Sequence, residues 1–437
     1  MRKYDRLKLS VILITFILGY SESIGFSQEW VVQESGTTLR LNDVYFTDEY
    51  IGWIVGDSSI ILHTTNGGEE WIEQMSPVDS IRFEKIFFPN TQDGYIVGWE
   101  GTILYTKDSG ETWARSEIGL NYPIYGLSFI NADTGWVVGG DFFGERRRGI
   151  ILNTKDGGVT WEIQFETNST GIFSSRLFHA IEFSDSLNGW AFAGDYFDNF
   201  SSTYLYRTTD GGIEWNITGT SFYAPLWEIS VHNDTIWGGG AAFISSNNGG
   251  ENWIVDPWDQ YSFFTVQDVK LINGCKGWVL AVTLSEPSGS VIINTEDCGA
   301  TWIDKLSQQN PILQSLYILD NYGAWAVGSS GVIMSYRNVV GIKDGTDETA
   351  QEFHLVQNYP NPFNPKTNIS YSLPVSGDVS LIVYNLLGEE VTRLVDGQMP
   401  SGTYTTTWNA SNVASGIYFY RLASGDFIQT KKMVLLR

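Results

Sequence analysis

The stretch TKDGGVTW, Thr154 to Trp161, brings a hydroxyl, a carboxylate, two glycines and a tryptophan within eight residues. Such a set can either run acid chemistry or pin a turn. It recurs as TTNGGEEW from Thr64, TKDSGETW from Thr106, TTDGGIEW from Thr208, SNNGGENW from Ser246 and TEDCGATW from Thr295. One catalytic centre has no use for six copies. The turn reading accounts for the composition: the Asp or Asn side chain accepts backbone N–H bonds, the Thr or Ser hydroxyl bonds the turn backbone, and glycine takes φ > 0. Asn66, Asp108, Asp156, Asp210, Asn248 and Asp297 are therefore assigned as structural turn residues, with Trp161 and its equivalents packing between sheets.

The remaining chemistry-bearing residues are sparse. The four histidines, His63, His179, His232 and His354, show no metal-ligand spacing, so no metal is expected. The sequence shows no Gly-rich phosphate loop, nucleophile elbow or Cys-His constellation, and no cofactor is expected. Glu84, Glu182 and Glu228 are the carboxylates to test for glycoside hydrolysis, which needs an acid and a base flanking one bond. Of these, Glu84 and Glu228 are the candidate catalytic pair. Cys275 and Cys298 are the only cysteines, which leaves one intramolecular pairing.

A strongly acidic balance, Lys+Arg 26 against Asp+Glu 50, argues against nucleic acid and anionic membrane surfaces as partners. At the N-terminus, Arg2, Lys3, Arg6 and Lys8 precede the apolar run Leu9 to Leu18 and then small residues, the layout of a signal peptide over 1–27. No transmembrane segment is expected in the mature chain. The abundant tryptophan and glycine point to short strands and tight turns, hence an all-β protein.

The elements that position these residues repeat. Ahead of each turn stands GWIVG at Gly52, GYIVG at Gly94, GWVVG at Gly135, GWAFAG at Gly189, IWGGG at Ile236 or GWVLAV at Gly277, and earlier still an alternating apolar run such as DVYF or KIFF. One unit reads as strands a, b and c, the acid–glycine turn, and strand d. The closing tryptophans recur at the length of one four-stranded propeller blade. A seventh unit ends at GVIMSY without its own turn and tryptophan, while QEWVVQESG from Gln28 looks like a strand d without a preceding turn. The expectation is a seven-bladed β-propeller over 28–340 closed by the N-terminal strand, which removes an edge liability. A polar linker follows over 341–353, and the strand runs over 354–437 read as a small C-terminal antiparallel β-sandwich.

The turn copies resemble the Asp-box of sialidases and sortilin-type receptors, where it is structural. With the Gly-Trp element, the pattern is similar to the propeller family that includes the photosystem II assembly and stability factors. The C-terminal end resembles the type A sorting domain of the type IX secretion system. The matching residues are Asn358, Pro360, Asn361, Pro362, Phe363 and Asn364, YNLLGEEV from Tyr384, SGIYFYRL with Gly416, and KKMVLLR with Lys431 and Lys432. That resemblance implies passage through the periplasm to secretion or the outer cell surface, with the secretion machinery as a partner.

Propeller topology puts the Asp-box turns on one face and the b–c and d–a connections on the other, so a ligand site is expected opposite the turns. There, the strand-a residues Asn42, Glu84, Tyr125, His179, Trp227, Gln267 and Gln314 should ring the channel mouth. Long connections supply Phe142, Phe143, Arg146, Arg147, Arg148, Tyr196, Phe197 and Phe200 as a rim suited to a protein or glycan. Cys275, in the a–b turn, and Cys298, in the c–d turn, lie on the turn face and should form a disulfide. The functional expectation is a non-catalytic binding or assembly scaffold. A propeller glycoside hydrolase, sialidase-like or other, and an assembly factor for an envelope or photosystem-like membrane complex are the alternatives.

Overall fold

A computed structural model describes residues 24–141, 148–167, 176–195, 202–222, 224–256, 263–283, 288–309, 311–319, 323–342, 353–355, 358, 363, 365–425 and 427–435. Its regular elements are strands and two short 3-10 turns. The chain divides into two units, Glu29–Arg337 and one holding Asn338–Arg437.

The first unit is all-β, with seven four-stranded antiparallel sheets. Six are built from consecutive strands, over 41–73, 83–115, 124–166, 176–222, 226–256 and 263–309. The seventh orders the N-terminal strand Ile24–Gln33 beside Ile333–Ile342, then Gly323–Gly328, then Leu313–Leu319. Trp30 thus joins the sheet of Trp325 and meets Tyr336 at 5.3 Å between ring centroids. The seven innermost strands touch in order round a ring, and Leu313–Leu319 touches Leu41–Phe46, which closes it. The closing strand includes Ile24–Ser27, expected in the signal peptide, and Ile333–Ile342 takes in Gly341 and Ile342, expected in the linker.

Neighbouring blades are glued by a recurring aromatic triad. Phe129, at the end of the innermost strand of blade three, stacks on Tyr95 of blade two at 3.7 Å and receives its own blade's Trp161 edge-on at 6.0 Å. The sets Trp325, Phe46 and Trp71; Trp53, Phe88 and Trp113; and Trp136, Phe183 and Trp215 repeat this arrangement. The glycine of the Gly-Trp element follows from it. A Cβ on Gly135 would lie 2.3 Å from the Phe129 ring, so only hydrogen leaves room for the stack.

Each of the six acid–glycine turns is held by the same bonds. In the third blade Thr154 Oγ1 donates to Asp156 Oδ1 at 2.9 Å and accepts from Gly158 N at 2.9 Å, and Asp156 accepts from Thr160 N and Oγ1. Asn66, Asp108, Asp210, Asn248 and Asp297 occupy the equivalent position and bond the equivalent hydroxyl. Gly158 has φ +80°, which a side chain would resist. The turn is also anchored to the a–b turn of its own blade: Gly157 N donates to Asp133 O at 2.9 Å. In blade six that bond runs from Cys298 N to Cys275 O, and a disulfide joins the same two residues.

The second unit packs a three-stranded sheet, His354–Leu355, Lys366–Leu373 and Gly402–Asn409, with a four-stranded one, Glu390–Met399, Gly377–Tyr384, Gly416–Ser424 and Phe427–Leu435. Their shared core includes Phe363, Tyr371, Leu381, Trp408, Tyr420 and Met433. Asn358 is fully buried, donating from its backbone to Tyr420 Oη at 2.7 Å and from Nδ2 to Thr367 Oγ1 at 2.9 Å. Phe363 bridges to Leu435, and Gly416 opens its strand at φ +155°. Lys431 and Lys432 lie along the last strand. Pro360 and Pro362 lie outside the described residues, as do Asn361 and Asn364.

Candidate functional site

Every innermost strand of the propeller carries a β-bulge near its start. The pairing skips between Leu41 and Asp43, Phe83 and Lys85, Ile124 and Gly126, Phe178 and Ala180, Leu226 and Glu228, Val266 and Asp268, and Leu313 and Ser315. The skipped residues are Asn42, Glu84, Tyr125, His179, Trp227, Gln267 and Gln314. A bulge re-aims the extra residue, and all seven line one cavity of about 360 Å³. These residues were expected to open their strands; instead the bulge delivers them to the cavity. Arg40, Arg82 and Trp99 also line it. Arg40 and Arg82 come from d–a connections and Trp99 from a b–c connection, so this mouth lies on the face away from the acid–glycine turns.

The lining is braced. Arg40 donates to Gln314 Oε1. Arg82 Nε sits 2.9 Å from Glu84 Oε1, which also accepts from Trp99 Nε1 at 2.6 Å. Asn42 Nδ2 donates to Asp57 Oδ1 and to Phe83 O. Tyr125 and His179 stack at 4.7 Å. Burial pushes the His179 imidazole down to about 4, so the ring is neutral at physiological pH. Burial, helped by the Glu84 charge, pushes the Tyr125 phenol up to about 12. Together these side chains offer flat stacking faces, amide donors and acceptors, and two cationic forks.

Below the mouth a second cavity of about 410 Å³ continues along the channel and shares Lys85, His179, Trp227 and Glu228 with the first. Lys85 Nζ contacts Glu228 Oε1 at 2.6 Å and reaches Asp43 Oδ1 at 4.0 Å. Lys270 Nζ contacts Asp268 Oδ1 at 3.0 Å. Ser315 Oγ lies 2.6 Å from Asp43 and 3.0 Å from Asp268. These acids also stitch blades together: Asp43 accepts from Ile86 N, Asp268 from Leu316 N, and Glu182 from Val231 N. Burial pushes Glu182 up to about 8 and Glu228 up to about 7, in the latter case against the pull of the Lys85 ammonium. Lys85 itself is raised, because Glu228, Asp43 and Asp268 together outweigh its desolvation.

Of the candidate binding residues, Tyr125, His179 and Trp227 meet in the mouth together with Glu84 and Glu228. Arg148 is held within its own blade, donating to Glu166 Oε2 at 3.1 Å and Tyr122 Oη at 3.0 Å. Arg146, Arg147, Tyr196 and Phe197 lie outside the described residues, as do Phe142, Phe143 and Phe200. Sequence reasoning missed Arg40, Arg82, Trp99, Lys85 and the Asp43–Ser315–Asp268 link. The usable signal was offset: Arg40 and Arg82 each stand two residues before a bulge residue, and Lys85 directly follows one.

Residues 23–124 match the family model for the photosynthesis system II assembly factor YCF48, and residues 357–436 match that of the secretion system C-terminal sorting domain. No curated protein matches the sequence. Among solved structures, a YCF48 bound to D1 peptide is similar with 18% identity and a TM-score of 0.55, over 72% of this chain and 99% of that one. YCF48 from Cyanidioschyzon merolae is similar at the same identity and TM-score, over 71% and 98%. AFV00434, an ancestral GH74 enzyme, aligns at 13% identity and a TM-score of 0.54, over 92% of this chain and 60% of that one. Identities this low establish the propeller architecture alone. The sorting domain marks the chain for export, to the cell surface or to secretion.

Proposed function

We propose that this exported propeller is a non-catalytic scaffold that holds an extended protein segment at the bulge-lined channel mouth. The observation that carries this reading is the convergence of seven bulge residues, one from each blade, on a single cavity. Its alternation of amides, aromatic faces and guanidinium groups suits a peptide backbone with mixed side chains. The Lys85–Glu228 pair lines the passage from the mouth to the cavity below it. That a YCF48 has been solved with a peptide supports a peptide over a glycan. The engagement of Glu84 by Arg82 and Trp99, and of Glu228 by Lys85, supports a binding role over hydrolysis.

The test is a pull-down from the native culture with the full chain and with its Trp227→Ala and Tyr125→Ala variants. The expected result is a discrete partner retained by the wild type and depleted at least tenfold by either variant. Equal recovery by all three forms overturns the placement of the site. The hydrolase alternative draws on one observation, that Glu84 and Glu228 line the same cavity. Release of sugar from glycan substrates that disappears in both Glu84→Gln and Glu228→Gln would replace the scaffold reading with that one.

A further inference from the structure

The sorting module carries a feature that neither the channel mouth nor its own core uses. The hairpin joining Gly377–Tyr384 to Glu390–Met399 ends in Leu386 and Leu387, which are 66% and 82% exposed. A tip of this kind is ordinarily polar, since exposed leucines gain nothing from folding.

The tip is also rigidly built. Asn385 Oδ1 accepts from Leu387 N at 2.9 Å and from Glu389 N at 3.0 Å, while Asn385 Nδ2 donates to Glu389 Oε2 at 2.8 Å. Backbone bonds from Asn385 N to Glu389 O and from Gly388 N to Asn385 O close the loop, and Gly388 takes φ +79°. At its base Arg393 bonds Glu390 and Asp396. Two leucines are thus fixed in solvent before any partner arrives, which lowers the ordering cost of docking.

We propose that Leu386 and Leu387 form a docking knob that inserts into an aliphatic pocket of a protein of the export machinery. The module matches a sorting domain, which has to be read by another molecule, and this tip is a preformed apolar projection on it. The flanking charge selects protein over lipid. Glu389 and Glu390 follow Leu387 within three residues, and sinking them into an anionic headgroup layer is unfavourable. A protein pocket with a basic rim accepts both the leucines and the acids. This inference stands on the sorting module alone and does not depend on what the channel mouth binds.

The experiment expresses the full chain in the native host as wild type, Leu386→Asn/Leu387→Asn, Asn385→Ala, and Val375→Asn/Ile428→Asn, and measures the periplasmic and external fractions by immunoblot. Val375 and Ile428 are exposed apolar residues elsewhere in the module, at 59% and 65%, and serve as controls. The expected result is an export defect of at least tenfold for the double leucine variant, a smaller one for Asn385→Ala, and none for the control pair, with unchanged melting midpoints of the purified proteins. Normal export of the double leucine variant overturns the proposal. So does leucine-dependent sedimentation of the purified wild type with phosphatidylethanolamine–phosphatidylglycerol vesicles, which would make the target a lipid surface.

Discussion

Glu182 faces the channel with its pKa raised to about 8 from an ordinary 4.5, chiefly by burial, and its carboxyl accepts the Val231 N–H at 3.1 Å. A carboxyl raised in the folded state keeps its proton while the unfolded chain releases it. Its stabilising share is therefore complete below pH 4.5, declines as pH rises, and is gone above about pH 8. The full shift corresponds to a ceiling of about 5 kcal/mol. Because the side chain borders a water-reachable cavity, the working expectation is roughly half of that, about 2 kcal/mol. Glu182→Gln keeps an acceptor for Val231 and removes the titration. Urea unfolding followed by tryptophan fluorescence reports the propeller, since Trp408 is the single tryptophan of 354–437. Between pH 5 and pH 9 the wild type should lose about 2 kcal/mol more than the variant. The turn acids do not interfere: Asp108, Asp156, Asp210 and Asp297 are lowered by their hydrogen bonds, and their contribution is lost only as the pH falls below the usual carboxylate range. Parallel pH curves for the two proteins would refute the reasoning. Glu228, raised in the same direction, leaves a residual slope in both.

Three further outcomes are expected. Gly135→Ala should cost about 1–3 kcal/mol by driving a Cβ into the Phe129 ring, and in a double-mutant cycle with Phe129→Ala the two losses should fall short of their sum, as measured by urea unfolding. Thr154→Val should cost about 1–3 kcal/mol, because Thr154 is buried and its hydroxyl is the acceptor for Gly158 N; Thr160→Val, at an exposed position, should cost much less in the same assay. Cutting the Cys275–Cys298 bond, whose partners are 23 residues apart, should cost about 3 kcal/mol; a melting scan with and without reductant should show that loss in the wild type and none in Cys275→Ser/Cys298→Ser.

The architecture was legible because its parts are repeated and local. Thr154, Asp156, Gly158 and Trp161 satisfy one another within a single turn, so their spacing alone betrays it, and six repetitions separate that signal from chance. The N-terminal strand was legible through deficit: a last blade short of one strand and a lone Trp30 short of a blade. The structure adds a detail no spacing carries. Gln33 Nε2 donates to Gly67 O and Gln33 Oε1 accepts from Trp71 Nε1; likewise Gln164 Nε2 donates to Gly211 O of the next blade, while its Oε1 accepts from Trp136 Nε1 of its own blade. The site was half legible. Asn42, Glu84, Tyr125 and Trp227 stood out by alignment of the strands, but a lysine or aspartate in an alternating strand reads as solvent-facing. Lys85, Lys270 and Asp43 were therefore invisible until ring closure turned the innermost strands toward one cavity, and so was the buried Asp268 that bonds Lys270 and Ser315. The Lys85–Glu228 pair and the Asp43–Ser315–Asp268 link span blades far apart in sequence, which local pattern cannot encode.

The strand Ile24–Gln33 finds its partner only when Ile333–Ile342 exists, some three hundred residues later. During synthesis the leading ribbon therefore travels as an unfastened clasp, and a chain truncated before its seventh blade has nothing to fasten it to. Completion and closure become one event: a chain that lacks its last blade leaves the N-terminal strand without the neighbour it has here. The same latch makes crowding hazardous, since a loose ribbon can be captured by the last blade of a sister molecule, linking the two as a swapped pair.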